Sequence, residues 1–305
     1  MIPPDVQYLN LALFIQQLES AFFERGLSRY SQADFVKAGF PDWVRGRYMQ
    51  IAEHEKTRLD FLQSAVTSSG RDHVAPSDYQ FSDNDVHAFI DLSEAITTIV
   101  AGSYVGGLHY FSNREYVTVG ASILSVESRQ ASWINSAVRK QHPWNTAFET
   151  PLSPNQVLTL LTSFFDFDKM PAQNRALLPA NLRPYPRLWL APRLVPGQEA
   201  EISFQNPNVQ KNERLYAAFL FGFETIFAPI TEREDTTIQG ADAGHDNRKY
   251  FVQIPKDLDV KGTVFVVVLK GTGNISEVRL DDQSTVAGPA IAMFSFGANH
   301  APILW

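Results

Sequence analysis

The stretch Leu9-Asn-Leu-Ala-Leu-Phe-Ile-Gln-Gln-Leu-Glu-Ser-Ala-Phe-Phe23 sets Leu11, Phe14, Ile15, Leu18 and Phe22 three and four residues apart. That recurrence marks an amphipathic helix. Glu19 breaks the pattern, because it falls on the apolar stripe with Ala12, Ile15, Phe22 and Phe23. A carboxylate on such a face costs several kcal/mol unless it is paired or metal-bound.

Outward from this stretch, residues 6–138 keep a helical period. A second helix is predicted to open at Pro41, a favoured first-turn residue, and to run to about Ser68 before Gly70. A third is predicted over residues 85–110. A fourth opens at the capping box Ser112-Asn-Arg-Glu115 and runs to about Val138. Ser153-Pro-Asn-Gln156 repeats that logic and starts a short fifth helix ending near Phe165. Four helices of about 20 to 28 residues are each about 30 to 40 Å long, the dimension of a four-helix bundle.

Each long helix repeats the anomaly of Glu19. Glu55 lies with Ile51, Ala52, Leu59 and Leu62, and Glu94 with Ile90, Thr97, Val100 and Ala101. Glu127 lies with Ile123, Leu124, Ala131 and Ile134. One inward Glu per helix is the layout by which bundles hold two metal ions, completed by Glu-x-x-His on two of the helices. Here those positions read Glu55-Lys-Thr-Arg58 and Glu127-Ser-Arg-Gln130. Arginine does not ligate a metal, but it pairs with carboxylates through two parallel bonds. Arg58 is therefore expected to supply positive charge where a metal would sit, among Glu19, Glu55 and Glu127. His54 flanks Glu55 but points about 100° away.

The texture changes at residues 171–196, which hold six prolines, too many for a helix or a central strand. Short β-type runs follow at residues 201–204, 214–223, 249–254, 263–269 and 277–280. Thr263-Val-Phe-Val-Val-Val-Leu269 is apolar on both faces and reads as a central strand. The expected fold class is α+β multidomain: a helical bundle over 1–170, a proline-rich linker over 171–196, and an antiparallel β-sandwich over 197–305.

Composition narrows the function. The 305 residues are 44% hydrophobic, enough for one large or two ordinary domains with real cores. A formal net charge of -7 without basic blocks argues against nucleic acid and anionic membrane as partners. No apolar run reaches the length of a membrane span, and no charged-then-apolar leader is seen at Met1-Ile-Pro-Pro. The absence of cysteine excludes disulfides, thiolate metal sites and cysteine nucleophiles. The chain also lacks G-x-S-x-G, P-loop, G-x-G-x-x-G and H-E-x-x-H motifs. Alternating aromatics in the β half (Phe204, Tyr216, Phe219, Phe221, Phe223, Phe227) read as core rather than as a carbohydrate platform.

Several stretches resemble one family. They are the opening helix through Ala21-Phe-Phe, Ile51-Ala-Glu-His-Glu55, Ala101-Gly-Ser-Tyr-Val-Gly-Gly107, Ala121-Ser-Ile-Leu-Ser-Val-Glu-Ser-Arg129 and Thr150-Pro-Leu-Ser-Pro-Asn-Gln156. They resemble the ferritin-like family of plant desiccation-related and fungal stress-response or late-sexual-development proteins. Thr285-Val-Ala-Gly-Pro-Ala-Ile291 resembles the β-rich tail of fungal members. The resemblance implies a ferritin-like bundle whose metal-type positions map onto Glu19, Glu55, Arg58, Thr97, Glu127 and Gln130. Three of those six are acids. It also implies secretion to the extracellular space or cell wall, with a cytoplasmic location as the alternative, and with Asn274-Ile-Ser276 as a glycosylation sequon.

The expectation is a stress- or development-associated protein with a degenerate, metal-free di-metal site, no cofactor, and a binding or structural role. A small-molecule or cell-envelope partner through the β domain goes with it. One alternative is a di-metal iron or manganese oxidase, or a metal-binding protein, using Glu19, Glu55, Glu94 and Glu127. Another is a cofactor-independent enzyme or small-molecule binder using Glu55, Glu127 and Arg58 as acid, base or anion clamp. The sequence leaves enzymatic activity and oligomeric state open.

Overall fold

The computed structural model describes residues 2–205, 209–210, 212–234 and 248–303. It divides into two compact units: Met1–Pro143 with Pro151–Arg183, and Trp144–Thr150 with Pro184–Trp305.

The first unit is helical. Its long helices are α1 (Pro4–Arg29), α3 (Trp43–Ser68), α4 (Val86–Gly107) and α5 (Arg114–Trp133); three shorter ones are α2 (Gln32–Lys37), α6 (Pro154–Leu161) and α7 (Ala172–Leu177). Local chemistry sets most boundaries. The Asp85 side chain accepts from Ala88 N–H at 2.8 Å and starts α4. The Ser153/Gln156 capping box opens α6, as its sequence predicts. The box expected at Ser112 and Glu115 does not form. Asn113 is the cap instead, accepting from Glu115 N–H at 2.9 Å, because Asp5 of α1 takes the Ser112 and Asn113 amides at 2.8 and 2.9 Å. α4 runs on as a 3-10 turn over Leu108–Tyr110, and α5 as a π-turn over Ile134–Val138.

Helix α2 is not among the helices predicted from periodicity, because six residues span less than two turns. Its signal is the box Ser31-Gln-Ala-Asp34, in which Ser31 N–H donates to Asp34 Oδ2 at 2.8 Å. The helix delivers Phe35 into an aromatic core with Phe22, Phe23, Tyr48 and Phe89, where the Phe22 and Phe89 rings stack at 5.1 Å. Of the described residues, only Val86–Tyr110 is long and apolar enough to cross a membrane by length and composition, and most of it is buried inside the unit.

The second unit is a seven-stranded antiparallel sheet among the described residues. Its strands are β1 (Leu188–Leu190), β2 (Glu199–Phe204), β3 (Arg214–Phe221), β4 (Glu224–Glu234), β5 (Arg248–Gln253), β6 (Gly262–Gly271) and β7 (Thr285–Phe294), in the order β1-β2-β5-β4-β3-β6-β7. The sheet curls until its edges meet, with Gly288 N–H of β7 donating to Pro186 O, just before β1, at 2.9 Å. Leu188, Ile202, Phe219, Val252, Val266 and Ala287 fill the enclosed core. The result is a nearly closed, sandwich-like barrel in an α+β protein. As its sequence predicts, β6 lies inside the sheet, paired with β3 on one side and β7 on the other.

The strand reading needs four corrections. Residues 277–280 form no strand, because Asn274 takes the Ser276 amide at 3.2 Å and winds Ile275–Glu277 into a 3-10 turn. The run at 214–223 ends at Phe221, where Gly222, at φ 55, turns the chain back into β4. β4 and β7 carry Pro229 and Pro289 inside them, the residue type that argues against a strand. A register shift between Val266 and Val268 of β6 marks the pairing with β7 around Pro289. The proline-rich stretch holds two elements, α7 and the edge strand β1; prolines 171 and 179 flank the helix rather than interrupt it.

Helix α4 lies flush against residues 151–153, with Leu152 N–H donating to Gly102 O at 3.0 Å. A Cβ at Gly106 would collide with the Leu152 carbonyl, which is backbone and cannot rotate away; one at Gly107 would meet nothing within 4 Å. Gly106→Ala is expected to lose about 2 to 3 kcal/mol through overpacking, while Gly107→Ala stays within about 0.5 kcal/mol. Denaturant melts of the two variants check this, and equal midpoints would refute it.

Candidate functional site

Four helices converge on one buried group of charges. Glu19 of α1, Glu55 of α3 and Glu127 of α5 are each fully buried. One carboxylate oxygen from each lies within 4.8 Å of the others. Arg58, one turn after Glu55, is also buried. Its Nη1 donates to Glu55 Oε1 at 2.9 Å, to Glu55 Oε2 at 2.7 Å, and to Glu127 Oε1. From α4, Thr97 Oγ1 donates to Glu19 Oε1 at 3.3 Å.

The remaining candidates go elsewhere. Glu94 accepts from Thr98 Oγ1 at 3.0 Å and pairs with Arg139 at 3.6 Å; Arg139 in turn donates to Asp91 at 2.8 Å. Gln130 is buried, but its Nε2 meets His54 Nδ1 at 3.2 Å. His54 itself is exposed. Asn274 lies exposed in the second unit, at the head of its 3-10 turn.

Two members of the site escape the sequence reading. Gln16 Nε2 donates to Glu55 Oε2 at 2.6 Å. Its signal is the pair Gln16-Gln17 inside the apolar run of α1, since buried amides need partners; Gln17 finds Val74 O at 2.9 Å. Tyr104 of α4 is the other, close enough to Glu127 and Arg58 to feel their charges.

Electrostatically, one guanidinium faces three carboxyls. Burial pushes the Glu19 carboxyl well above the usual range, and Glu127 and Glu55 push it further, against Arg58 and Thr97. Glu127 is raised well above the usual range by burial and by Glu55, against Arg58. Burial also raises Glu55, opposed by Arg58 and by hydrogen bonds from Gln16 and Glu19. The Tyr104 hydroxyl is held neutral, first by burial and then by Glu127. Burial works against the Arg58 charge, but Glu127, Glu55 and Glu19 outweigh it. Such a cluster retains protons that isolated carboxylates release, the property required of a buried acid–base pair. Glu19 Oε2, Glu127 Oε2 and Arg58 Nη2 have no hydrogen-bond partner among the described residues.

Long helices with one inward acid on each of α1, α3 and α5 define a class, and the sequence comparisons agree with it. Residues 4–140 match the family model described as ferritin-like domain, so the helical unit is a ferritin-like domain. Protein rds1 of Schizosaccharomyces pombe (strain 972 / ATCC 24843) is 25% identical over 186 residues. That match covers 61% of this chain and 44% of rds1, so it spans less than half the length of the relative.

The raised carboxyls set a pH dependence. Below the ordinary carboxylate range the folded and unfolded chains are both protonated. As pH rises through that range the unfolded chain loses its protons first, so these groups subtract stability up to their raised folded values. Glu19→Gln removes one such group while keeping its shape. Thermal melts should show a larger gain in Tm, relative to the parent, at pH 8 than at pH 5. The same gain at both would contradict a proton held on Glu19.

Proposed function

We propose that this is a stress- or development-associated ferritin-like protein with a binding or structural role, whose bundle is closed by an ionic core rather than by metal. The observation that carries this reading is Arg58 Nη1, which donates to both Glu55 and Glu127. A cation is already seated between two of the carboxylates that a metal centre would need as ligands. The donor set does not fit a di-metal centre: it offers three acids and no imidazole, and Thr97 and Gln130 fill positions where ligands are needed. The family resemblance supports the stress or developmental setting. It also supports an extracellular or cell-wall location, for which the exposed Asn274 sequon is the accessible marker.

Two measurements test the reading. Mass spectrometry of protein purified without chelator, then loaded with ferrous iron or manganese and desalted, should find far less than one ion per chain. Near-stoichiometric metal would overturn the proposal. It would favour the second reading, an all-carboxylate site on Glu19, Glu55 and Glu127, whose oxygens approach within 4.8 Å. Independently, Arg58→Ala should cost about 3 to 5 kcal/mol, because it strands buried acids without their cation. A loss below about 1 kcal/mol would remove Arg58 from the role assigned to it.

A further inference from the structure

On the outer side of α3 and α5 lies a groove of about 480 Å³, within the range of small-molecule sites. Ile51 and Val126 make its apolar floor, and Trp133 makes one wall. That indole is braced edge-on against Tyr48 at 5.3 Å and Trp43 at 6.1 Å, so it forms a firm aromatic face. Arg47 on α3 and Arg129 on α5 stand exposed at the rim, and no carboxylate lines the groove.

Both arginines keep charge to spare. Arg47 donates to Gln50 Oε1 at 2.8 Å and Arg129 to Ser125 O at 3.0 Å, both neutral acceptors. Neither forms an ion pair among the described residues. Two unpaired guanidiniums facing one cleft, on a chain of net charge -7, are a local reversal of sign. Gln130 also lines the groove, its Nε2 meeting Nδ1 of the exposed His54 ring at 3.2 Å.

We propose that this groove binds a small aromatic carboxylate. The ring lies on Trp133, and the carboxylate takes the N–H groups of Arg47 and Arg129. The site uses none of the carboxyls of the ionic core, so it stands whether or not that core holds metal.

The probe is benzoate, titrated into the full chain by calorimetry at low salt. Saturable binding at one site with a Kd of about 1 mM or tighter is expected. The neutral benzamide should bind at least about tenfold more weakly. So should the acid to the Arg47→Gln/Arg129→Gln double variant, whose exposed positions leave Tm unchanged. The chain has five tryptophans, so indole N–H resonances provide a second readout on the unmodified protein. The signal lost in Trp133→Phe should be the one that moves with the acid. Absence of saturable binding, equal binding of the amide, undiminished binding by a folded double variant, or movement of a different indole would each overturn the proposal.

Discussion

Three carboxyl groups within 4.8 Å of one another inside a protein are a constraint before they are a site. Left as anions they would repel each other and forfeit their hydration, a cost comparable to the net stability of a whole domain. The structure meets that cost with one guanidinium, with protons held on raised carboxyls, and with hydrogen bonds from Gln16 and Thr97. These groups come from α1, α3, α4 and α5. All four long helices are therefore tied at one level, and sliding any of them along its axis would break a hydrogen bond of this layer. Apolar packing elsewhere in the unit allows small adjustments; this layer does not.

That argument also separates the ionic layer from its surroundings. Toward one end the bundle is closed by aromatics packed stacked, edge-on and tilted around Phe89, which need only shape. Gln130 stands at the side: it follows Glu127 by one turn of α5, yet its amide reaches outward to His54. It thus links the interior layer to the groove between α3 and α5.

Much of this was legible in the sequence because burying charge is costly. A helical period that carries Glu19, Glu55 and Glu127 onto apolar faces is an anomaly visible in single residues, and all three are buried. Arg58 was legible for the same reason, as the cation three residues after an inward acid. What escaped was set by partners far along the chain. Asn113 displaced Ser112 as the cap because Asp5, 107 residues away from Ser112, claims the amides. β4 and β7 were hidden by prolines, which strand pairing tolerates where the register shifts or an edge is free. Glu94 shared its helical face with Thr97, but its cation, Arg139, lies beyond the π-turn of residues 134–138, where extrapolated phase no longer holds.

That π-turn has a further consequence. A single-turn π-segment holds one more residue than an α-helix would use for the same arc, so α5 carries a built-in phase step between Gln130 and Arg139. Wound uniformly as α-helix, the same residues would carry the chain after the segment about 100° further round. Arg139 would then swing away from Asp91 and Glu94 together. The π-turn between Trp133 and Arg139 is therefore what aims that guanidinium, and a change that tightened the segment to α-winding would unpair Arg139 without touching it.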